Sequence, residues 1–267
     1  YDPKLKNFLE WYKQLVGESL GKNGKGLLPV ISEMPKDNHS VMQLYLDGFK
    51  NNFFGTINLV EAAKLVGIER FIFVSTDKAV KPSSIMGLTK RLAEIYIQES
   101  ALKNESINFS IVRFGNVLGS SGSVIPLFKK QIKSGGPLTV TDPNMTRYFM
   151  SITEASKLIL ISGSFKSNGN IYVLNMGKPI KIMDLAKNMI QLSGLKPKLS
   201  KDSEGDIEIK IISIRDGEKI HEELFHNDDV KKTAHPKVMV TEYRNLDIDI
   251  NLIKSKIEQA IKLKNID

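Results

Sequence analysis

Four consecutive apolar residues, Phe71-Ile72-Phe73-Val74, lead directly into Ser75-Thr76-Asp77-Lys78 and then, after a short break, into a helix-length stretch opening at Met86. A run that is apolar at every position, with no alternation, is the mark of a strand buried on both faces of a parallel sheet. The order recurs along the chain. Gly55 to Leu65 reads as a helix, Arg70 to Ser75 as a strand, Met86 to Leu102 as a long helix and Phe109 to Phe114 as a second strand. Alternation of this kind predicts an α/β fold on a doubly wound parallel sheet, whose ligands sit at the carboxyl ends of the strands. The expected chemistry therefore lies after Val74 and after Arg113.

Beyond Gly122 the alternation loosens. The spacing predicts helices over Pro126 to Lys133, Thr153 to Ser162, Ile182 to Leu192 and Leu252 to Leu263, with strands near Leu138 to Thr141, Ile171 to Asn175 and Ile207 to Ile214. These smaller pieces suit an α+β domain that covers a substrate. Ahead of the alternating region, Leu5, Phe8, Leu9, Tyr12, Leu15 and Val16 follow helical spacing, and Val41, Met42, Leu44 and Tyr45 form a second helix-like pattern after His39-Ser40. The resulting division is 1–54, 55–175 and 176–267, the middle part carrying half of a dinucleotide-binding domain and the last being mainly substrate-binding.

Composition removes several classes. With 267 residues, 41% of them hydrophobic, the chain can bury a sizeable core. It contains no cysteine, which excludes disulfides and thiolate ligands, and its histidines at 39, 221, 226 and 235 lack a zinc-binding spacing, so no metal is expected. The net charge of +8 is scattered rather than blocked, which argues against nucleic acid as a partner. No apolar run approaches the roughly 18 to 20 residues that cross a bilayer, and no leader-like stretch opens the sequence, so the expectation is a cytoplasmic chain without a membrane segment.

The segment after the buried strand holds a hydroxyl, a carboxylate and an amine, Thr76-Asp77-Lys78, and Met86 and Lys90 share one face of the following helix. A lone Thr-Asp-Lys at a strand end is also what an ordinary turn with a solvated lysine looks like. Six words in order change that: NNFFGTINLVEAA, STDKAVKP, MGLTKR, RFGNVLGSSGSVIPLFKKQI, MTRYFM and RDGEKIHEEL. Over about residues 51–236 they resemble the extended short-chain dehydrogenase/reductase superfamily, and within it the CapD-like group of UDP-N-acetylglucosamine 4,6-dehydratases in polysaccharide biosynthesis.

The resemblance implies a Rossmann-type fold, a UDP-sugar substrate and NAD or NADP as cofactor, with self-association into a homo-oligomer. It sets Thr76, Met86 and Lys90 in the superfamily's Ser/Thr, Tyr and Lys positions, with Lys90, Ser75 and Asn116 on the cofactor. A thioether accepts no proton, so at the C4 hydroxyl another group must serve in place of Met86, Asp77 or a water. By the same likeness Lys78 is the base for the C5 proton and Asp77 the acid for the C6 hydroxyl. Adjacent acid and base at a strand's end can serve neighbouring carbons. Asn116, Arg147, Arg215 and Glu218 resemble the substrate-holding residues, the arginines on the diphosphate, where a guanidinium makes paired hydrogen bonds. An Arg215–Glu218 surface ion pair and helix-core packing of Met86 are the plainer alternatives, and His221, His226 and His235 read as surface or packing residues.

No G-x-G-x-x-G occurs in the sequence, and the glycines at 17, 21, 24 and 26 have the wrong spacing to replace it. The parallel sheet is therefore expected to be incomplete, the second half of a Rossmann-type fold, and the chain alone to turn over no substrate. Instead ESLGK, KGLLPVISEMPKDNHSVMQLYLDG and FKNNFF, within residues 1–54, resemble an internal piece of glucose-6-phosphate isomerase, with His39 matching that family's ring-opening histidine. The two likenesses meet in Lys50-Asn51-Asn52-Phe53-Phe54-Gly55, a word that fits both, and lysine far outnumbers arginine, as in AT-rich coding sequence. A join between two genes at that word is one expectation and a two-domain fusion another. Three functional readings follow: dehydratase, phosphosugar isomerase, and a UDP-sugar-binding fragment without turnover. Long members of the dehydratase group carry membrane helices ahead of the catalytic domain, so a membrane-anchored parent is also expected.

Overall fold

The computed structural model describes residues 48–120, 123–199, 203–225, 230–241 and 248–264. The helical patterns expected within 1–47, together with His39 and His226, lie outside the described residues. A π-helical turn, Gly48–Phe54, runs straight into helix α1, Gly55–Val66. Strand β1, Arg70–Val74, a 3-10 turn over Asp77–Ala79, helix α2, Ile85–Lys103, and strand β2, Asn108–Arg113, follow. Ser84 caps α2 by accepting from Gly87 N at 3.2 Å, and Gly67, at φ 70°, ends α1 with its N–H on Ala63 O. The predicted alternation is thus present, each boundary within about two residues of the spacing-based one.

Past β3, Asn116–Val117, come α3, Val124–Lys133, β4, Leu138–Val140, β5, Thr146–Arg147, and β6, Phe149–Met150. Then α4, Ile152–Ser164, and β7, Asn170–Leu174, precede β8, Ile180–Lys181, α5, Ile182–Leu192, and β9, Pro197–Lys198. The chain continues through β10, Ile207–Ile211, β11, Val230–Lys232, β12, Val238–Thr241, and α6, Ile250–Lys264.

The larger sheet has the order β1-β2-β7-β12-β11. Its first three strands are parallel, Phe71 against Phe109 and Ile111 against Ile171, whereas β12 and β11 add on antiparallel. The fold is α/β of Rossmann type, with a sheet that ends at β1 among the described residues. Residues 230–241, within the span 176–267 expected to be mainly substrate-binding, thus pair into the large sheet. A second core, from α3, β4, α5 and β10, centres on Phe128, Leu138, Ile190 and Ile207. It draws on residues ahead of 175 as well as behind it, so the two cores interleave along the sequence and do not meet at a boundary there.

β1 also differs from the strand its apolar run predicts. Only Phe73 is buried, and Arg70 and Val74 are exposed, whereas β2 is buried at five successive positions. An end strand has a neighbour on one side only, so composition alone overstated its cover. Phe49 and Phe53 of the π-helical turn pack with Ile57, Leu92, Ile95 and Ile250 in a third cluster. The word shared by the two family likenesses is therefore a built part of the α1–α2 layer.

Candidate active site

The carboxyl ends of β1 and β2 are stitched together by backbone bonds: Ser75 N donates to Val112 O at 2.8 Å and Asp77 N to Phe114 O at 3.1 Å. Thr76 is extended, at φ −142°, and its hydroxyl oxygen accepts from Lys78 N at 3.3 Å, which nucleates the 3-10 turn that presents Asp77 and Lys78. α2 presses on this turn from behind. A Cβ on Gly87 would lie 2.2 Å from Lys78 O, so only glycine permits the approach.

Asp77 is fully buried. Its Oδ1 accepts from Thr76 Oγ1 at 2.8 Å and from Lys78 Nζ at 3.0 Å. Its Oδ2 has no hydrogen-bond partner among the described residues. That oxygen faces the turn after β2, because a Cβ on Gly115 would stand 3.1 Å from it. Lys78 Nζ also lies 3.4 Å from Glu222 Oε1. The structure thus brings Thr76, Asp77 and Lys78 together as a bonded set and adds a carboxylate that the motifs did not single out.

Lys90 reaches the same strand end. Its Nζ donates to Val74 O at 3.2 Å and sits 4.8 Å from the Phe73 ring centroid. Burial holds its ammonium below the ordinary lysine value, with the charge of Glu94 opposing. Met86, half-buried in the first turn of α2, accepts through its carbonyl from Thr89 Oγ1 at 3.0 Å. Ser75 is buried, and its hydroxyl donates to Glu94 Oε1 at 2.6 Å, so this side chain belongs to the support beneath the site. Asn116 lies in β3, which pairs with β6, and its N–H donates to Tyr148 O at 3.0 Å.

Arg147 is buried. Nη1 donates to Thr146 O at 2.8 Å and to Ile220 O at 3.1 Å, and Nη2 meets Glu218 Oε1 at 3.4 Å. Arg215 is exposed, and its main-chain N–H donates to Glu218 Oε2 at 3.4 Å. The ion pair that Glu218 makes is therefore with Arg147, from a different segment. His221 Nδ1 is 2.9 Å from Thr146 Oγ1 on the exposed rim. Three residues outside the sequence-derived set matter here: Glu222, Glu94 and Arg113. Arg113 and Glu222 stand inside the quoted words RFGNVLGSSGSVIPLFKKQI and RDGEKIHEEL without being singled out, and Glu94 carries no signal, since an acidic residue on a helix is ordinarily solvated.

No helix among the described residues is long and apolar enough to cross a membrane, and no cluster of three or more His, Asp or Glu side chains suited to a metal ion occurs among them.

Comparison with known proteins locates this arrangement. The sequence is 48% identical over 216 residues to the capsular polysaccharide biosynthesis protein CapD of Staphylococcus aureus, covering 81% of this chain and 34% of that protein. It is 35% identical over 187 residues to the inverting UDP-N-acetylglucosamine 4,6-dehydratase of Campylobacter jejuni, covering 69% of this chain and 52% of that one. The chain thus spans about a third to a half of the length of these relatives. Among solved structures, Pen from Bacillus thuringiensis superposes with a TM-score of 0.68 at 29% identity, over 86% of this chain and 73% of that one. The family described as polysaccharide biosynthesis protein matches residues 36–243, a span that begins within the stretch carrying the isomerase-like words. With most of its length inside that match and the motif residues gathered at the ends of β1 and β2, the chain belongs to the polysaccharide biosynthesis protein family, in the short-chain dehydrogenase/reductase superfamily.

Proposed function

We propose that this chain is the catalytic and sugar-binding portion of a nucleotide-sugar 4,6-dehydratase acting on a UDP-N-acetylhexosamine, with NAD or NADP as cofactor. The observation that carries the reading is the Asp77–Lys78 pair. The Lys78 amine donates to one carboxyl oxygen, Oδ1, while the acid's other oxygen, Oδ2, is buried, without a hydrogen-bond partner among the described residues and turned toward Gly115.

The cofactor fits at the nicotinamide end. An ammonium has three donors, Lys90 gives one to Val74 O at an exposed strand end, and the others suit ribose hydroxyls; Ser75 and Asn116 border the same strand ends. Bound there, the dinucleotide would take hydride from sugar C4 and return it to C6. The remaining chemistry falls to the chain's own groups. A ketone at C4 acidifies the C5 proton, and Lys78, partly exposed and so able to give its ammonium proton to water, takes it as the neutral amine. The electron pair left on C5 forms the C5–C6 double bond as the C6–O bond breaks, and a proton from Asp77 leaves with that oxygen as water. Met86 offers no exchangeable proton, so deprotonation of the C4 hydroxyl falls to Asp77 or a water held by Thr76. Arg147, with Arg215 on the rim, is placed for the diphosphate, and Glu218 for the ribose. Exposed Leu59, Leu65 and Val66 on α1, and Leu88 and Leu102 on α2, support self-association. Nucleotide sugars and NAD(P) are cytoplasmic metabolites, which puts the activity on that side of any membrane.

The test needs no bound dinucleotide. In heavy water, a UDP-4-keto-6-deoxy-N-acetylhexosamine should exchange its C5 hydrogen for deuterium in the presence of the chain, and Lys78→Ala should abolish the exchange. Binding of the UDP-sugar without exchange would leave a binding fragment in place of an enzyme. With UDP-N-acetylglucosamine and free NAD+ the chain alone should form no 4-keto product, because its sequence carries no G-x-G-x-x-G to hold the pyrophosphate. Stoichiometric NAD in the purified protein would overturn that part.

A further inference from the structure

Glu222 is buried, with 3% of its side chain exposed, and the elimination above does not use it. Its Oε1 lies 3.4 Å from Lys78 Nζ and 3.9 Å from Arg147 Nε. Its Oε2 has no hydrogen-bond partner among the described residues. A carboxylate taken out of water this way is costly unless opposite charge compensates it. Here the compensating cations come from two separate segments, the 3-10 turn and β5.

A lysine stem has four rotatable bonds and loses much rotamer freedom when its head is fixed. Asp77, the preceding residue, contacts the Lys78 ammonium at 3.0 Å and on its own would fix little more than a distance. A second carboxylate from another segment fixes a direction as well. The segment that carries Glu222 is itself tied to the loop after Lys78: Ser83 Oγ donates to Gly217 O at 2.8 Å, Lys219 Nζ to Val80 O at 2.7 Å, and Lys81 pairs with Glu223 at 2.7 Å.

We propose that Glu222 is a positioning residue for Lys78: its carboxylate holds the amine between two acids, where it can take the C5 proton, and joins it to the Arg147 side of the site. The assignment rests on the dehydratase reading, and its test is built so that the two fail separately. Glu222→Gln keeps size and removes charge. In the C5 exchange assay its kcat should fall about 10- to 100-fold, with KM for the UDP-4-keto sugar changed less than about threefold. Glu222→Asp, which restores the charge, should recover most of that loss. A glutamine variant with unchanged kcat, or one in which KM rises and kcat holds, overturns the proposal, the second outcome assigning Glu222 to substrate binding through Arg147.

If the unsubstituted protein shows no exchange, the dehydratase reading falls and a second measurement decides the positioning alone. The acylation rate of Lys78 by an amine-reactive ester, followed by peptide mass spectrometry, should rise several-fold in Glu222→Gln; an unchanged rate overturns it. Should Glu222→Gln not fold, Glu222→Leu, which removes the charge and leaves no buried polar group unpaired, is read in the same two assays, and wild-type values in both overturn the proposal.

Discussion

Two carboxylate-centred networks lie a few residues apart and are built on opposite terms. Beneath the site, Glu94 is fully buried and fully satisfied: Oε1 accepts from Ser75 Oγ at 2.6 Å and Arg113 Nε at 2.7 Å, while Oε2 accepts from Arg113 Nη2 and, at 2.9 Å, from Arg91. Burial pushes its carboxyl up, and the charge and hydrogen bonds of Arg113, with Arg91 and Ser75, more than offset this and hold it below the usual value. Within the site, Asp77 and Glu222 each leave one buried oxygen unbonded among the described residues, and the lysine between them is partly exposed. The first network joins α2 to β2 and spends every lone pair on holding the sheet. The second withholds hydrogen bonds where a substrate's atoms would supply them. Satisfaction of buried acids, more than burial itself, separates the scaffold from the candidate chemistry.

The contrast can be broken by substitution. Arg113→Met should be the most damaging, because it strands Glu94 in the interior; a loss of about 3–5 kcal/mol is expected in urea unfolding. A much smaller loss would mean that the lower network is not the support it resembles. Acid gives a second view of the same group. Glu94 is depressed in the folded chain, so its stabilising contribution is complete above its ordinary value near 4.5 and is lost as pH falls through the lower folded value. Unfolding midpoints followed from pH 6 downward should show that loss, and Arg113→Met should flatten it.

Asp77→Asn should change stability by no more than about 1 kcal/mol, since the acid it replaces is only half bonded. It should slow C5 exchange, since it removes one of the two acids that hold Lys78, while Lys78→Ala abolishes the exchange, and a destabilisation equal to that of Arg113→Met would erase the distinction between the two networks. The smallest effect belongs to the surface pair Lys64–Glu61, at 2.8 Å, where Lys64→Ala should cost less than about 0.5 kcal/mol in the same urea experiment.

Much of this was legible in the residues. The apolar runs of β2 and β7 and the 3.6-residue spacing of α1, α2 and α5 set the alternation, because local pattern decides those elements. Thr76, Asp77, Lys78 and Lys90 were legible because one turn and one helix face bring them together. β11 and β12 were not. Short strands such as Val238–Thr241 carry too little pattern, and their place beside β7 depends on pairing across a long stretch of sequence. The edge position of β1 was legible from the absent G-x-G-x-x-G, which implies a sheet lacking its first half, but not from the strand's own composition, which reports how apolar it is and not how many neighbours it has. Glu222 was missed because its meaning comes from Lys78 and Arg147, which sequence keeps far from it. Arg215 was given a diphosphate role that its exposed position leaves to the rim, and Glu218 turned to Arg147 in place of its near neighbour.

The contacts that bind the loop after Lys78 to residues 217–223 set an order of events as well as a geometry. Each closes a long loop of chain, and such closures come late, since their entropic cost precedes any return. Asp77 and Lys78 should take their places with β1 and α2 while Glu222 is still adrift. A refolding chain would then pass through a stage that has its sheet and its acid but not an aimed amine. Pulsed amine labelling of Lys78 that lags behind the recovery of helical signal would record that interval, and simultaneous recovery would show that the clasp forms with the sheet.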